Sequence, residues 1–179
     1  MFRQLPLLFA CVGLMAMGPR TLRVDLHHQG TATTESFSLD RVVLEPLPWP
    51  GNPAKAVDDS NLGKYRFEVR DSKTAKVLYS RGFASIMGEW QETPEAGKRS
   101  RVFEESLRFP CPEAPVTVAY QKRNPALLFE DVWTVAVDPK GTFVDTSKPP
   151  SAGGLIPILK QGDSGSKVDL LILGDGYTA

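Results

Sequence analysis

Apolar residues at every second position recur along this chain from Thr21 to Val137, in short runs punctuated by glycine, proline and acidic turns. A strand turns successive side chains to opposite faces, so a period of two predicts strands with one face buried and one in water. Leu22, Val24 and Leu26 share one face of the first run, with Arg23, Asp25 and His27 on the other. The second run, Ser36 to Glu45, directs Phe37 and Leu39 inward. Tyr65, Phe67 and Val69 alternate with Lys64, Arg66, Glu68 and Arg70; the Asp71-Ser72-Lys73 turn and Val77-Leu78-Tyr79 then predict a hairpin. Phe103, Leu107 and Phe109 lie on one parity of the next strand, with Glu105 as the exception among them. Val116, Val118 and Tyr120 follow, and Phe129, Trp133, Val135 and Val137 supply the apolar positions of the last strand. No helical period is sustained between these runs. Strands at this spacing predict a mainly β protein, an antiparallel β-sandwich.

Two segments interrupt the pattern. Pro46 to Pro53 holds four prolines, which block helix and ladder alike and predict an extended, stiff loop. Around Phe83 to Gly97, the breakers Gly82, Gly88 and Pro94 exclude a long element, and Ala84 to Trp90 is expected to bulge or cross between sheets.

The charge balance narrows function. Lys+Arg and Asp+Glu number 21 each, so no net field draws in nucleic acid or an anionic membrane, and neither is expected as a partner. Residues 1–18 combine Arg3, an apolar core from Leu5 to Met17 and the small residues Ala16 and Gly18. That is the pattern of a secretory signal peptide, too short for a membrane span, and it implies a secreted or periplasmic protein. A lipoprotein reading of Cys11 is disfavoured by the bulk of Phe9 and by the apolar core that continues past the cysteine. With the signal removed, Cys111 stands between Pro110 and Pro112 as a passive loop thiol without a disulfide partner.

Candidate chemistry is sparse. His27 and His28 are the only histidines, and as strand neighbours they point to opposite faces, so they cannot chelate one ion side by side. Asp58-Asp59-Ser60-Asn61 is oxygen-rich but lacks the spacing of a calcium loop and predicts a solvated turn. Glu89 beside Trp90 has no second acid at catalytic spacing. No Gly-x-Ser-x-Gly elbow and no metal cluster are visible. The expected site therefore contains no catalytic, cofactor-binding or metal-binding residue. Trp49 is expected to fold back onto the core; the alternative is a secreted module in which the three tryptophans of the sandwich stack on carbohydrate or a surface polymer.

After Asp145 the composition changes. Residues 20–145 read as the sandwich, and 146–167, with Lys-Pro-Pro-Ser-Ala-Gly-Gly, as a linker. Residues 168–179 follow, where Leu170 to Leu173 is an unbroken apolar run closed by Gly174-Asp175-Gly176. A strand buried on both faces need not alternate, so this run predicts the first strand of an α/β domain whose remainder lies beyond Ala179.

Several segments, taken together, resemble a known family. They are Phe37-Ser-Leu-Asp-Arg-Val-Val43, Glu45-Pro-Leu-Pro-Trp-Pro-Gly-Asn-Pro53, Asn61-Leu-Gly-Lys-Tyr65, Leu78-Tyr-Ser-Arg-Gly-Phe83 and Gly88-Glu-Trp90. Glu105-Ser-Leu-Arg-Phe-Pro110 and the stretch from Val168 to Thr178 complete the set. Their order is similar to the N-terminal region of the IgA-peptidase-type secreted zinc metallopeptidases, over roughly Thr21 to Ala179. The resemblance implies a β-sandwich ahead of a catalytic domain in which a His-Glu-x-x-His helix binds zinc. This chain contains no His-Glu-x-x-His, so no catalytic or zinc-binding residue is carried over. It is either a fragment of such an enzyme or a domain that kept its place without the enzyme. The expected function is a non-catalytic accessory domain, with its own catalytic domain and a protein substrate as partners and zinc confined to the absent part.

Overall fold

The computed structural model describes residues 18–149 and, beyond them, 156–159, 161, 162, 167, 170 and 172. The signal-peptide stretch 1–17 and most of the 168–179 strand lie outside the described residues. Of that last stretch, Leu170 and Ile172 are described; they are exposed at 87% and 74% and belong to no strand.

Among the described residues, eight strands form two sheets. They are β1 (Arg20–Gly30), β2 (Glu35–Pro48), β3 (Tyr65–Asp71), β4 (Val77–Phe83), β5 (Arg101–Pro110), β6 (Val116–Arg123), β7 (Phe129–Val137) and β8 (Val144–Asp145). One sheet has the order β5-β1-β2-β8, the other β4-β3-β6-β7. The expected mainly β sandwich is what the chain builds. Its pairings are antiparallel except the last, where β8 runs parallel to β2 at Val42↔Val144 and Val43↔Asp145. The core between the sheets holds the residues that alternation placed there: Leu22, Val24 and Leu26 from one side, Tyr65, Phe67, Val69, Val118 and Tyr120 from the other.

Local departures have local causes. In β7 the register slips between Tyr120↔Trp133 and Gln121↔Asp131, so Val132 is an extra residue. The slip leaves Trp133 packed on the core but turns Phe129 to the outer face. There its ring lies between the guanidinium groups of Arg66 and Arg123, 4.4 and 4.0 Å from their carbons. The proline segment is less loop than expected, because β2 continues through Pro46 to Pro48. β8 covers only Val42 and Val43, and past it β2 is an edge, where a proline's missing N–H costs no ladder bond.

The 84–97 connection does cross between sheets, from β4 to β5. It does so through a short helix, α1 (Ile86–Trp90), and not through a bulge. Ser85 is its N-cap, with Oγ accepting from the Gly88 N–H. Met87 is fully buried. Gly88 permits the close approach, since a Cβ there would sit 2.8 Å from the Tyr65 ring.

Candidate functional site

Strand parity places one charged group after another between the sheets at the α1 end of the sandwich. His28 follows Leu22, Val24 and Leu26 on the inward face of β1 and is 0% exposed. On β5, Glu105 occupies the same inward parity as Phe103 and Leu107 and lies opposite Leu26, one diagonal step from His28. Glu35 opens β2, Tyr65 opens β3, and Tyr120 and Lys122 come from β6.

These groups close on one another. His28 Nδ1 is 3.0 Å from Glu105 Oε1, and Nε2 is 3.7 Å from Glu35 Oε2. Glu105 also accepts from the Tyr120 hydroxyl at 2.7 Å and from Ser85 Oγ at 2.5 Å. Glu35 Oε1 accepts from the Tyr65 hydroxyl at 2.9 Å and from Lys122 Nζ at 2.5 Å. The His28 ring stacks on Phe37 with 4.3 Å between centroids. The cluster thus ties five strands and the cap of α1 together.

Its electrostatics follow from that geometry. Both ring nitrogens of His28 face carboxylates, which can only accept, so the imidazolium is the matching form. Burial works to lower the His28 pKa, but the hydrogen bond to Glu105 and the nearby negative charge of Glu35 outweigh it and hold the group above its ordinary value. Burial likewise opposes ionisation of the two acids. Donation from His28, Lys122 and Tyr65 nonetheless takes Glu35 down to about 2, and His28, Ser85 and Tyr120 keep Glu105 below the usual carboxylate range. Tyr120 and Tyr65 are pushed far up, first by burial and then by the adjacent carboxylates, and remain donors. Two cations then meet two anions, and the buried charge is balanced.

Serine, histidine and glutamate in one cluster invite comparison with an acyl-transfer triad, and the geometry excludes it. A triad divides the imidazole, with the acid on one nitrogen and the nucleophile on the other. Here Ser85, 3.5 Å from His28 Nδ1, and Glu105 share that same nitrogen, and Ser85 Oγ is spent on Glu105 and on capping α1. Zinc does not fit either. Glu35 and Glu105 face opposite ring nitrogens, so they cannot join His28 around a single ion. Among the described residues no three His, Cys, Asp or Glu side chains converge on a metal position. A groove of about 310 Å³ between the β4 and β5 edges, lined by Phe67, Phe83, Ile86 and Leu107, reaches Ser85 and Glu105 from outside.

The residues singled out from the sequence are dispersed. His27 and His28 lie back to back on β1, as alternation requires. Asp58 does more than a solvated turn: Oδ2 accepts from the Gly82 N–H and Oδ1 from the Ser60 N–H, at 2.8 and 2.9 Å, pinning its loop to β4. Bonding to Ser60 and Gly82 lowers its pKa to about 2. Glu89 is exposed on α1. The Cys111 thiol is half-buried, and burial raises its pKa. Trp49 packs edge-on against Tyr79, with Gly51 passing so close to its ring that a Cβ would lie 2.5 Å away. Trp90 is 8% exposed, packs on Phe103 and donates Nε1–H to Glu95. It is no stacking platform, and with Trp49 and Trp133 packed against the core all three tryptophans behind the sugar-binding reading face the interior at least in part.

The fold is a two-sheet β-sandwich with a buried His28–Glu35–Glu105 cluster at one end. The chain belongs to the family described as Peptidase M64 N-terminus, which matches residues 15–134. No curated protein matches it. Among the described residues no helix is long and apolar enough to cross a membrane.

Proposed function

We propose that this chain is the non-catalytic accessory domain of a secreted zinc metallopeptidase, exported by its N-terminal signal. Its sandwich holds or orients a peptidase domain that carries the zinc and the catalytic residues. The observation behind this reading is the position of the family match: residues 15–134 fall on the sandwich, and the family is named for the N-terminus of a peptidase. The His28 cluster agrees with it, since Ser85 Oγ, the Tyr65 and Tyr120 hydroxyls and both carboxylates are hydrogen-bonded within the cluster.

The test is direct. Purified full chain, incubated with casein or immunoglobulin with and without a chelator, is expected to leave both substrates intact. Mixed with a separately produced peptidase domain of the same family, it is expected to co-elute with it. Chelator-sensitive cleavage that follows the chain through purification would overturn the reading.

A further inference from the structure

A strand at the edge of a sheet offers unpaired main-chain groups to any second strand, and folds commonly blunt such edges. Three edges of this sandwich are blunted. The 56–58 segment covers β4, where the Ser80 N–H donates to the Ala56 carbonyl at 3.0 Å and the Gly82 N–H to Asp58 Oδ2 at 2.8 Å. β2 carries β8 and the prolines Pro46 and Pro48, and β7 carries the extra residue Val132. β5 is different. Its ten pairings with β1 run from Thr21↔Pro110 to Gly30↔Arg101 without a register shift, and no strand lies on its other side.

The direction of its free groups is fixed. The Cys111 N–H donates to the Arg20 carbonyl at 2.7 Å, which continues the β1–β5 ladder. Main-chain groups alternate sides along a strand, so Phe109, Leu107, Glu105 and Phe103 turn theirs to β1. Arg108, Ser106, Glu104 and Val102 turn theirs outward. Among the described residues, none of these outward N–H and C=O groups has a hydrogen-bond partner.

An edge lined with charge of one sign repels its own copy, but β5 carries both signs, placed symmetrically about Ser106. Glu104 is exposed and, among the described residues, enters no ion pair or side-chain hydrogen bond. Arg108 is half-exposed; it gives Nε and Nη2 to Glu45, and its Nη1 has no partner among the described residues. An antiparallel pair of β5 strands centred on Ser106 sets Glu104 opposite the partner's Arg108, and Arg108 opposite the partner's Glu104. It also brings Val102, 56% exposed, opposite the partner's Pro110. Centring on Glu104 or on Arg108 would oppose like charges, and centring on Glu105 or Leu107 would set both charges opposite neutral residues. The strand that complements this edge in charge is the edge itself.

We propose that β5 is a self-association edge, along which two copies pair antiparallel about a two-fold axis at Ser106 and join their β5-β1-β2-β8 sheets into one. The pairing closes on itself, and Pro110, with no N–H to donate, ends the ladder. It buries on the order of 1,000 Å² in total, the size of a weak, transient interface. The copies therefore separate at low concentration, where the single chain unfolds by itself.

Sedimentation of the full chain provides the first test. The chain is expected to dimerise at about 200 μM and to be monomeric at about 2 μM. Glu104→Arg alone and Arg108→Glu alone should each associate severalfold more weakly, because each opposes like charges across the axis. Mixed in equal amounts, the two should restore the dimer, since each chain supplies what the other has lost. All these chains share the apolar stretch from Leu5 to Met17, so the contrast among them reports the edge. A covalent readout leaves the charges in place. In a Cys11→Ser/Cys111→Ser background, Ser106→Cys meets its own copy at about 5.5 Å between Cα atoms, within disulfide reach. It should oxidise to a covalent dimer severalfold faster than Val102→Cys on the same edge. A monomer at about 200 μM, equal oxidation of the two thiols, or a mixture of folded charge variants no tighter than either alone would overturn the proposal. So would protection of the Ser106→Cys thiol by a peptidase domain and not by a second copy, which would give the edge to that domain.

Discussion

Replacing Glu105 by leucine tests the physical account of the buried cluster. The side chain is 12% exposed and accepts from His28, Ser85 and Tyr120. Leucine would leave the imidazolium facing one carboxylate instead of two and strand the Tyr120 hydroxyl in the core. Removing one member of a buried ion pair costs about 3–5 kcal/mol. Ser85 lies beside the groove and can turn to water, so no further loss is added for it. With a urea dependence of about 1.5–2 kcal/mol per molar, the unfolding midpoint should fall by roughly 2 M. Glu104→Leu, one residue away on the exposed face of β5, should change stability by less than about 0.5 kcal/mol. The same measurement across pH carries a sign. The His28 pKa is raised above 6.5, so its contribution is complete below that value and fades as pH climbs through the folded-state value. Glu35 is lowered from 4.5 to about 2, so its contribution is complete above 4.5 and fades as pH drops toward 2. The full chain should therefore be most stable between these limits, and Glu105→Leu should flatten the alkaline decline. A loss below about 1 kcal/mol, or an unchanged alkaline slope in the variant, would refute the reasoning.

Two further outcomes follow from close contacts and burial. Gly88→Ala sets a methyl 2.8 Å from the Tyr65 ring and should cost about 1–3 kcal/mol in urea unfolding, with Gly97→Ala, whose nearest neighbour is 3.8 Å away, as the tolerated comparison. Cys111, in a Cys11→Ser chain at pH 8, should react with a disulfide reagent more slowly than a free thiol and reach the free rate in denaturant.

The strands were legible because each sheet has one wet face, and alternation records that directly in Tyr65 to Arg70 or Leu22 to His27. The helix α1 was not, since five residues make less than two turns and its position rests on Ser85 and Gly88 meeting partners from other strands. Val132 reads like any strand residue, and only the pairing of β6 with β7 reveals it as the extra one that ejects Phe129. The cluster left half a trace. Glu105 stood out as an acid on an inward parity, and His28 continues the parity of Leu22, Val24 and Leu26. What joined them was the register of β1 on β5, which brings together residues 77 apart in the chain. That register is fixed by packing and turns, not by either residue's own neighbours.

The brevity of β8 has a mechanical side. Two ladder positions, Val42↔Val144 and Val43↔Asp145, are all that clasp it to the sheet, whereas β1 and β5 meet at ten. A pull on the chain downstream of Asp145 would peel this clasp away first, spending its load there and leaving the seven longer strands undisturbed.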